Sequence, residues 1–368
     1  MPTSSLSRFD AALWSWASES EDDQLSSAFA ATSRTANGKN MHVTFETVFV
    51  DAGHPFSFLE PRSAFLESEI ERKNVRILKL VDADSPWLLA AFKSRHSGVY
   101  HLMSSLPTSH RRWEKVERWL ASARGVSRCF LDHSDFESIG DRLSEFGDVE
   151  VVKMSGRVTK DGSSVNRGFP SLGADLRPNH INVIEEAESR GATVRTLTLH
   201  VRSVMDLHLR RIAGATYYSG DFSLFEELIL TRLEDAAHKR RELLRDRQRR
   251  SRQPVRPITL YLEPKTLDTA DSAQELLTTT DSMRDISIAV FHRNPYLHFA
   301  VTDEFDGSNF DVMVTDSDSI DIFPGYRASL DSLARVALRI GERFGATRIV
   351  DTPNIPVPSM SDLAEMGG

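Results

Sequence analysis

Residues 75–103, VRILKLVDADSPWLLAAFKSRHSGVYHLM, decide the fold, because three short apolar runs follow one another with polar residues between them. The runs are VRILKLV, PWLLAAF and GVYHLM, and DADS and KSRHS divide them. Short apolar segments bounded by turn-forming residues are typical of antiparallel strands. The stretch MHVTFETVFV at 41–50 alternates with a period of two and predicts one more strand before this meander.

Helical patterns and further strands follow the meander. Residues 108–125 place Trp113, Val116 and Leu120 on one face of a predicted helix, which ends at a glycine. Residues 126–154 predict a strand, a helix and a strand in that order. The sequence therefore predicts an α+β fold with mixed or antiparallel sheets.

A Gly- and Pro-rich stretch divides the chain. Residues 155–180, SGRVTKDGSSVNRGFPSLGADLRPNH, are rich in turn-forming residues and predict a hinge between two αβ lobes. The predicted units are an N-terminal helical cap (1–40), a first αβ domain (41–155), a hinge or linker (156–190), a second αβ domain (191–352) with a basic helix at 235–252, and a flexible tail (353–368).

Two segments of the second domain have less decisive patterns. SVMDLHLRRIAG at 203–214 predicts a short helix, and FEELILTRL at 225–233 predicts a strand although its letters also suit a helix.

Composition narrows the class of protein. The 368 residues are 40% hydrophobic and 27% charged, which is typical of a packed chain of about two domains. No apolar run approaches the length of a membrane span, and the N-terminus lacks a signal pattern, so we expect a cytoplasmic protein. Cys129 is the single cysteine, which excludes an internal disulfide and a cysteine-based zinc site, and we expect it to be a small core residue.

The strongest local charge lies between residues 239 and 256. This segment carries nine basic residues against Glu242 and Asp246, while the whole chain has a net charge of -8. Arginine predominates, and its guanidinium suits phosphate oxygens, so the segment predicts duplex DNA binding without sequence preference. The predicted phosphate contacts are Lys239, Arg240, Arg241, Arg245, Arg247, Arg249, Arg250, Arg252 and Arg256, with Arg157, Lys160 and Arg167 as additional candidates in the hinge. The alternative is a solvated charged helix.

An acidic counterpart lies between residues 296 and 323, which contain seven Asp or Glu residues and no Lys or Arg. It either neutralises the basic segment in a closed state or merely keeps hairpin turns and strand edges soluble.

Motifs for the best-marked enzyme classes are missing from the sequence. We find no phosphate-binding P-loop, no dinucleotide fingerprint, no HExxH zinc motif and no GxSxG elbow. Glu263 and Lys265 at the end of a predicted strand are the best nuclease candidates, with Asp246 as a possible second metal ligand. His200 and His208 have no third metal ligand nearby in the sequence. We expect no catalytic residues, no cofactor and no metal.

Part of the chain resembles the DNA-binding component of Rex-type phage-exclusion systems. The resemblance runs from residue 134 to about 241 and includes SDF (134–136), DVEVVKMSGRVTKDG (148–162), TVRTLTLHV (193–201) and LRRIAGAT with LFEELIL (209–230); RDISIAV (284–290) continues it. The resemblance implies a homodimer that clamps double-stranded DNA by a domain swing and works with a membrane-protein partner.

The sequence thus favours a non-enzymatic, DNA-binding antiviral protein. The alternatives are a metal-dependent nuclease or other phage-defence effector, and a protein–protein interaction module whose basic helix binds an acidic partner.

Changing Arg245, Arg247, Arg249 and Arg250 together to Ala tests the basic segment. We expect weaker binding to every duplex sequence alike and a flatter salt dependence, because phosphate contacts carry no base information. Filter binding at two salt concentrations measures both effects, and an unchanged affinity would contradict the assignment.

Overall fold

The chain forms an α+β fold built on two antiparallel sheets. The computed structural model describes residues 6–35, 41–50, 56, 58–59, 66–82, 85–123, 125–158, 163–170, 177–212, 214–245, 257–293, 296–325 and 327–351. No helix within these ranges is long and apolar enough to cross a membrane.

Eleven strands make the large sheet. They are β1 Val43–Val50, β2 Leu66–Glu71, β3 Val75–Asp82, β4 Ser85–Lys93, β5 Val99–Ser104, β6 Val126–Arg128, β7 Val149–Val158, β8 Ser164–Gly168, β9 Ala192–Val201, β10 Met205–Arg210 and β11 Gly214–Gly220. Their order is β2-β3-β4-β5-β1-β11-β10-β9-β7-β8, and β6 also pairs with β1. The predicted meander is therefore present as β3, β4 and β5.

Six strands make the small sheet. They are β12 Ile258–Tyr261, β13 Ile286–His292, β14 Leu297–Asp303, β15 Asn309–Val314, β16 Ser319–Pro324 and β17 Arg348–Asp351. Their order is β13-β14-β15-β16-β12-β17.

Helices cover these sheets. They are α1 Arg8–Glu19, α2 Leu25–Thr35, α3 Arg111–Ser122, α4 His133–Ser144, α5 His180–Ser189, α6 Phe222–Phe225, α7 Thr231–Arg245, α8 Ala270–Asp281 and α9 Leu330–Phe344. A π turn, Glu226–Leu230, joins α6 to α7 without a break in the helix.

The meander reads as continuous apolar runs because its strands are buried on both faces. On β4, Leu88 and Phe92 belong to the main hydrophobic core, whereas Trp87 and Leu89 belong to a second core. The second core lies under α3 and includes Trp113. A strand that packs on both sides has no polar face, so its sequence does not alternate.

Helix α9 connects the two sheets. Its apolar face includes Leu333, Val336 and Ile340, all fully buried, and the helix contacts β6, α7 and α8. Gly345 ends the helix in the left-handed region at φ 68°, as expected for a C-terminal glycine. The main hydrophobic core therefore extends from α1 to β17.

The predicted hinge is structured where the chain is described. Residues 156–190 contain the end of β7, all of β8 and all of α5. Gly156 lies at a β-bulge, and a Cβ there would come within 2.9 Å of the Thr193 carbonyl oxygen. This glycine permits a close backbone approach instead of chain freedom. Because β1 pairs with β11, one sheet also spans the two predicted domains.

Two local predictions were wrong. Residues 205–210 form β10, in which Met205, Leu207 and Leu209 point to one buried face at a period of two. Residues 225–233 are helical, because Asp221 caps the helix at its N-terminus and Leu228, Ile229 and Leu230 pack inside. Tertiary burial decides between two states that the letters permit. The predicted tail, 353–368, lies outside the described residues.

Asp10 on α1 is a buried carboxyl group. Its side chain is 3% exposed and accepts a hydrogen bond from the Ser105 hydroxyl at 2.9 Å. Burial raises the pKa of Asp10 from 3.8 to about 6, although Ser105 and Ser7 oppose this shift. The ionised form is therefore disfavoured in the folded chain.

We expect the stability that Asp10 contributes to be complete below about pH 4 and to be lost as the pH rises through about 6. Relative to the native chain, D10N should gain about 2–3 kcal/mol of unfolding free energy between pH 4 and pH 7.5, because Asn carries no charge. Urea unfolding of both proteins at the two pH values measures this gain. A difference that does not change with pH would contradict the assignment.

Candidate nucleic-acid interface

The described part of the predicted basic helix is packed, not solvated. It is α7, and its residues Leu233, Ala237 and Leu244 are buried against the core. The helix contacts β1, β5 and α9. Its basic residues are therefore divided between the interior and the surface.

Arg240 points into the interior of the protein. Its side chain is 3% exposed and forms ion pairs with Asp132 and Asp135 at 2.7 and 2.8 Å. The two aspartates form the capping box at the start of α4, so Arg240 ties α7 to α4. Burial raises the pKa of Asp135 to about 6, and Arg240 opposes that rise. The predicted phosphate contact of Arg240 is therefore wrong, because its guanidinium is buried and paired with two aspartates.

The neighbours of Arg240 differ in exposure. Lys239 is exposed, whereas Arg241 is 11% exposed and donates a hydrogen bond to the Ser97 carbonyl oxygen at 2.9 Å. Arg245 ends α7. The remaining predicted residues Lys160, Arg247, Arg249, Arg250, Arg252 and Arg256 lie outside the described residues, as does Asp246.

The two described hinge candidates have different surroundings. Arg167 on β8 is ion-paired with Glu186, and its guanidinium lies over the Phe169 ring at 4.8 Å from the ring centre. Arg157 on β7 lines a small pocket with Arg195, a residue the sequence reasoning missed.

Arginines from six parts of the chain converge beside α9. One cleft of about 300 Å³ and an adjoining pocket share Glu342 as a lining residue. We call their arginines the arginine cluster: Arg128, Arg157, Arg195, Arg211, Arg284, Arg335, Arg339 and Arg343. The floor of the larger cleft includes the apolar side chains of Leu120 and Met283.

Helix α9 contributes three members of the cluster at four-residue spacing. Arg335, Arg339 and Arg343 follow one side of the helix because four residues make slightly more than one turn. This four-residue spacing is the feature of the sequence from which part of the cluster could have been predicted. The other members come from strands and a turn that only the folded chain brings to α9.

Several members already have hydrogen-bond or ion-pair partners in the protein. Arg128 donates to Glu46 at 2.6 Å. Arg335 is ion-paired with Asp303, which belongs to the acidic segment, and Arg343 is ion-paired with Glu275. Arg211 donates to the Ala346 carbonyl oxygen.

Arg195 and Arg339 differ from these members. Both are exposed, and neither side chain donates a hydrogen bond or forms an ion pair at contact distance with any residue that the structure describes. Burial lowers the pKa of Arg343, and repulsion from Arg157 and Arg195 lowers it further. Burial raises the pKa of Glu342 between the two pockets, and the nearby arginines, Arg195 and Arg339 among them, oppose that rise. Glu342 therefore offsets part of the positive charge, while the guanidinium groups of Arg195 and Arg339 still face solvent.

The nuclease candidates are not on one strand. β12 ends at Tyr261, the Glu263 carbonyl oxygen accepts from Thr266, and Lys265 has a φ of 65°. Glu263 and Lys265 therefore lie in a turn and do not share a strand face.

Glu263 instead approaches His133 and Glu188. One ligand atom from each of these three residues lies within 4.8 Å of the others. The Val194 N–H donates to Nε2 of His133 at 3.2 Å, so the proton of the neutral ring is on Nδ1, which donates to Glu188 at 2.5 Å. A metal on Nδ1 would require a proton on Nε2 facing another N–H, so this group does not fit a metal ion.

The remaining candidates are held within the fold. Cys129 is buried, and burial raises its pKa to about 12, as expected of a core thiol. Burial lowers the pKa of His208 to about 4, and its ring is hydrogen-bonded to Thr198. His200 is hydrogen-bonded to Asp206 at 2.7 Å.

The chain matches no known protein-family model, and comparison with curated proteins finds no significant similarity.

Replacing Arg240 by Met tests the interior role of α7. We expect R240M to lose about 3–5 kcal/mol of unfolding free energy, because Asp132 and Asp135 remain buried without their cation. The matched variant K239M, at the exposed neighbouring position, should change stability by less than about 0.5 kcal/mol. Urea unfolding measures both variants, and equal effects would contradict the interior role.

Proposed function

We propose that this protein binds double-stranded DNA through its phosphate backbone, without sequence preference, and that the arginine cluster is part of the interface. The observation that carries the proposal is the pair of exposed arginines Arg195 and Arg339 at an arginine-lined cleft, whose side chains have no hydrogen bond or ion pair at contact distance with the described residues. Guanidinium groups match phosphate oxygens in charge and hydrogen-bond geometry.

The net charge of -8 is compatible with such a local interface. Phosphate binding depends on the potential of one surface, and the sum over the whole chain affects mainly solubility and long-range approach. The net charge also counts carboxylates that do not face the interface. Asp303 of the acidic segment, for example, is buried against Arg335 and Ser332.

The basic segment supplies a second element of the proposed interface. Residues 246–256 contain five arginines and a single acidic residue in the sequence, directly after α7. The proposal assigns backbone contacts both to this segment and to the arginine cluster. The resemblance to Rex-type proteins supports a further part of the proposal, in which the protein acts as a homodimer in phage exclusion.

The double variant R195Q/R339Q tests the arginine cluster. If each residue contacts one phosphate, the slope of log affinity against log salt should fall by about 2. Affinity at fixed low salt should fall by about ten- to thirty-fold, since an exposed contact contributes roughly 1 kcal/mol. Fluorescence anisotropy with a labelled duplex measures both quantities.

The matched control is R142Q/R202Q, which removes the same charge from exposed arginines that already pair with Glu145 and Glu150. An equal loss in both double variants would show a dependence on net charge only and would overturn the assignment. Recovery of the DNA on a gel after incubation with magnesium separates binding from the nuclease alternative, because binding alone leaves the duplex intact.

A further inference from the structure

A second cleft lies between α2, β4, β5 and the helix that contains the π turn. It has a volume of about 380 Å³, which is in the range of small-molecule sites. Its lining is mostly polar and includes Asp23, Lys93, His101, Glu226 and Glu234.

The π turn brings two of these carboxylates to the cleft. In a regular α-helix, residues eight apart are rotated by about 80° because each residue turns about 100°. The wider π turn at Glu226–Leu230 accommodates about one extra residue, so Glu226 and Glu234 are related as residues about seven apart, which differ by only about 20°. Both side chains therefore face the same cleft.

Glu234 is fully engaged by protein groups. Its Oε1 accepts from Nε2 of His101 at 2.8 Å, and its Oε2 lies 3.3 Å from Nε of Arg95. The Thr47 hydroxyl holds the other nitrogen of His101 at 3.0 Å. His101 therefore has a hydrogen-bond partner at each ring nitrogen.

Glu226 is the exception in this lining. It is half-buried, and its carboxylate has no hydrogen bond or ion pair within the part of the chain that the structure describes. Burial raises its pKa, the nearby His101 opposes that rise, and the charge of Glu234 adds to it. A half-buried carboxylate that no cation contacts directly is costly, so a ligand that supplies such a contact should bind favourably.

The geometry of the cleft favours an organic cation over a metal ion. Among the described residues, three metal-type ligand atoms come within 4.8 Å of one another only at His133, Glu188 and Glu263, which belong to a different part of the fold. In the cleft, Glu226 is one free carboxylate in a space much larger than a metal ion. Asp23, on α2's side of the cleft, is a second half-buried carboxylate, but both of its oxygens already accept hydrogen bonds from Asn74.

We propose that this cleft binds an aliphatic amine, whose ammonium group donates hydrogen bonds to the Glu226 carboxylate while its carbon chain lies along Leu25, Phe92 and Leu230. The contact is a charge-assisted hydrogen bond, which is stronger than one between neutral groups. This site is independent of the DNA-binding proposal, because it shares no lining residue with the arginine cluster.

Isothermal titration of the full chain with 1,4-diaminobutane tests the proposal, with butane-1,4-diol as the uncharged probe of the same length. We expect binding of the diamine and at least ten-fold weaker binding of the diol. Absence of diamine binding at millimolar concentration, or equal binding of the two probes, would overturn the proposal. This comparison uses only the unmodified protein and does not depend on the folding of any variant.

The variant E226Q keeps the size of the side chain and removes its charge. We expect it to bind the diamine at least ten-fold more weakly. The matched control is E227Q on the same π turn. The Glu227 carboxylate is exposed and interacts electrostatically with Arg142 of α4, and it does not line the cleft. Thermal melting confirms that both variants are folded. Diamine binding by E226Q equal to that of E227Q would contradict the role of Glu226.

Discussion

Strand β1 is the element on which the rest of the structure depends. All eight of its residues are buried, and it pairs with β5, β6 and β11. It carries Glu46 in the interior, so the fold must bring a cation to that carboxylate. Arg128 supplies it at 2.6 Å, and Arg210 lies 3.9 Å away. Removing two such charges from water is costly, and the hydrogen-bonded pair offsets this cost.

This constraint explains why the two halves of the chain share one sheet. Arg128 comes from the first predicted domain and Arg210 from the second, and both meet the same carboxylate on β1. A swing of one half against the other at residues 156–190 would have to leave these β1 contacts intact. Within the described part of that segment, Gly156 lies at a β-bulge.

Burial also divides the arginines into two groups. Arg240 and Arg128 lie in the interior with carboxylate partners, so they stabilise the fold. Arg195 and Arg339 are exposed and have no hydrogen bond or ion pair at contact distance with the described residues, so the proposed anion contacts fall to them. The same side chain serves either purpose, and its surroundings decide which one applies. Surroundings also distinguish the two carboxylates near the π turn. Glu234 pairs with Arg95 and His101, whereas Glu226 has no ion pair with a described residue.

The sequence by itself determined the α+β class, the antiparallel meander and the amphipathic helix over Trp113, because hydrophobic periodicity and turn residues are local properties. It also identified Arg157 as a candidate and Cys129 as a core residue. Only the tertiary structure decided that Arg240 is internal, that residues 205–210 form a strand and that Arg195 approaches α9. These outcomes depend on contacts between residues distant along the chain, and the free energy of burying a charge depends on the partner that arrives there.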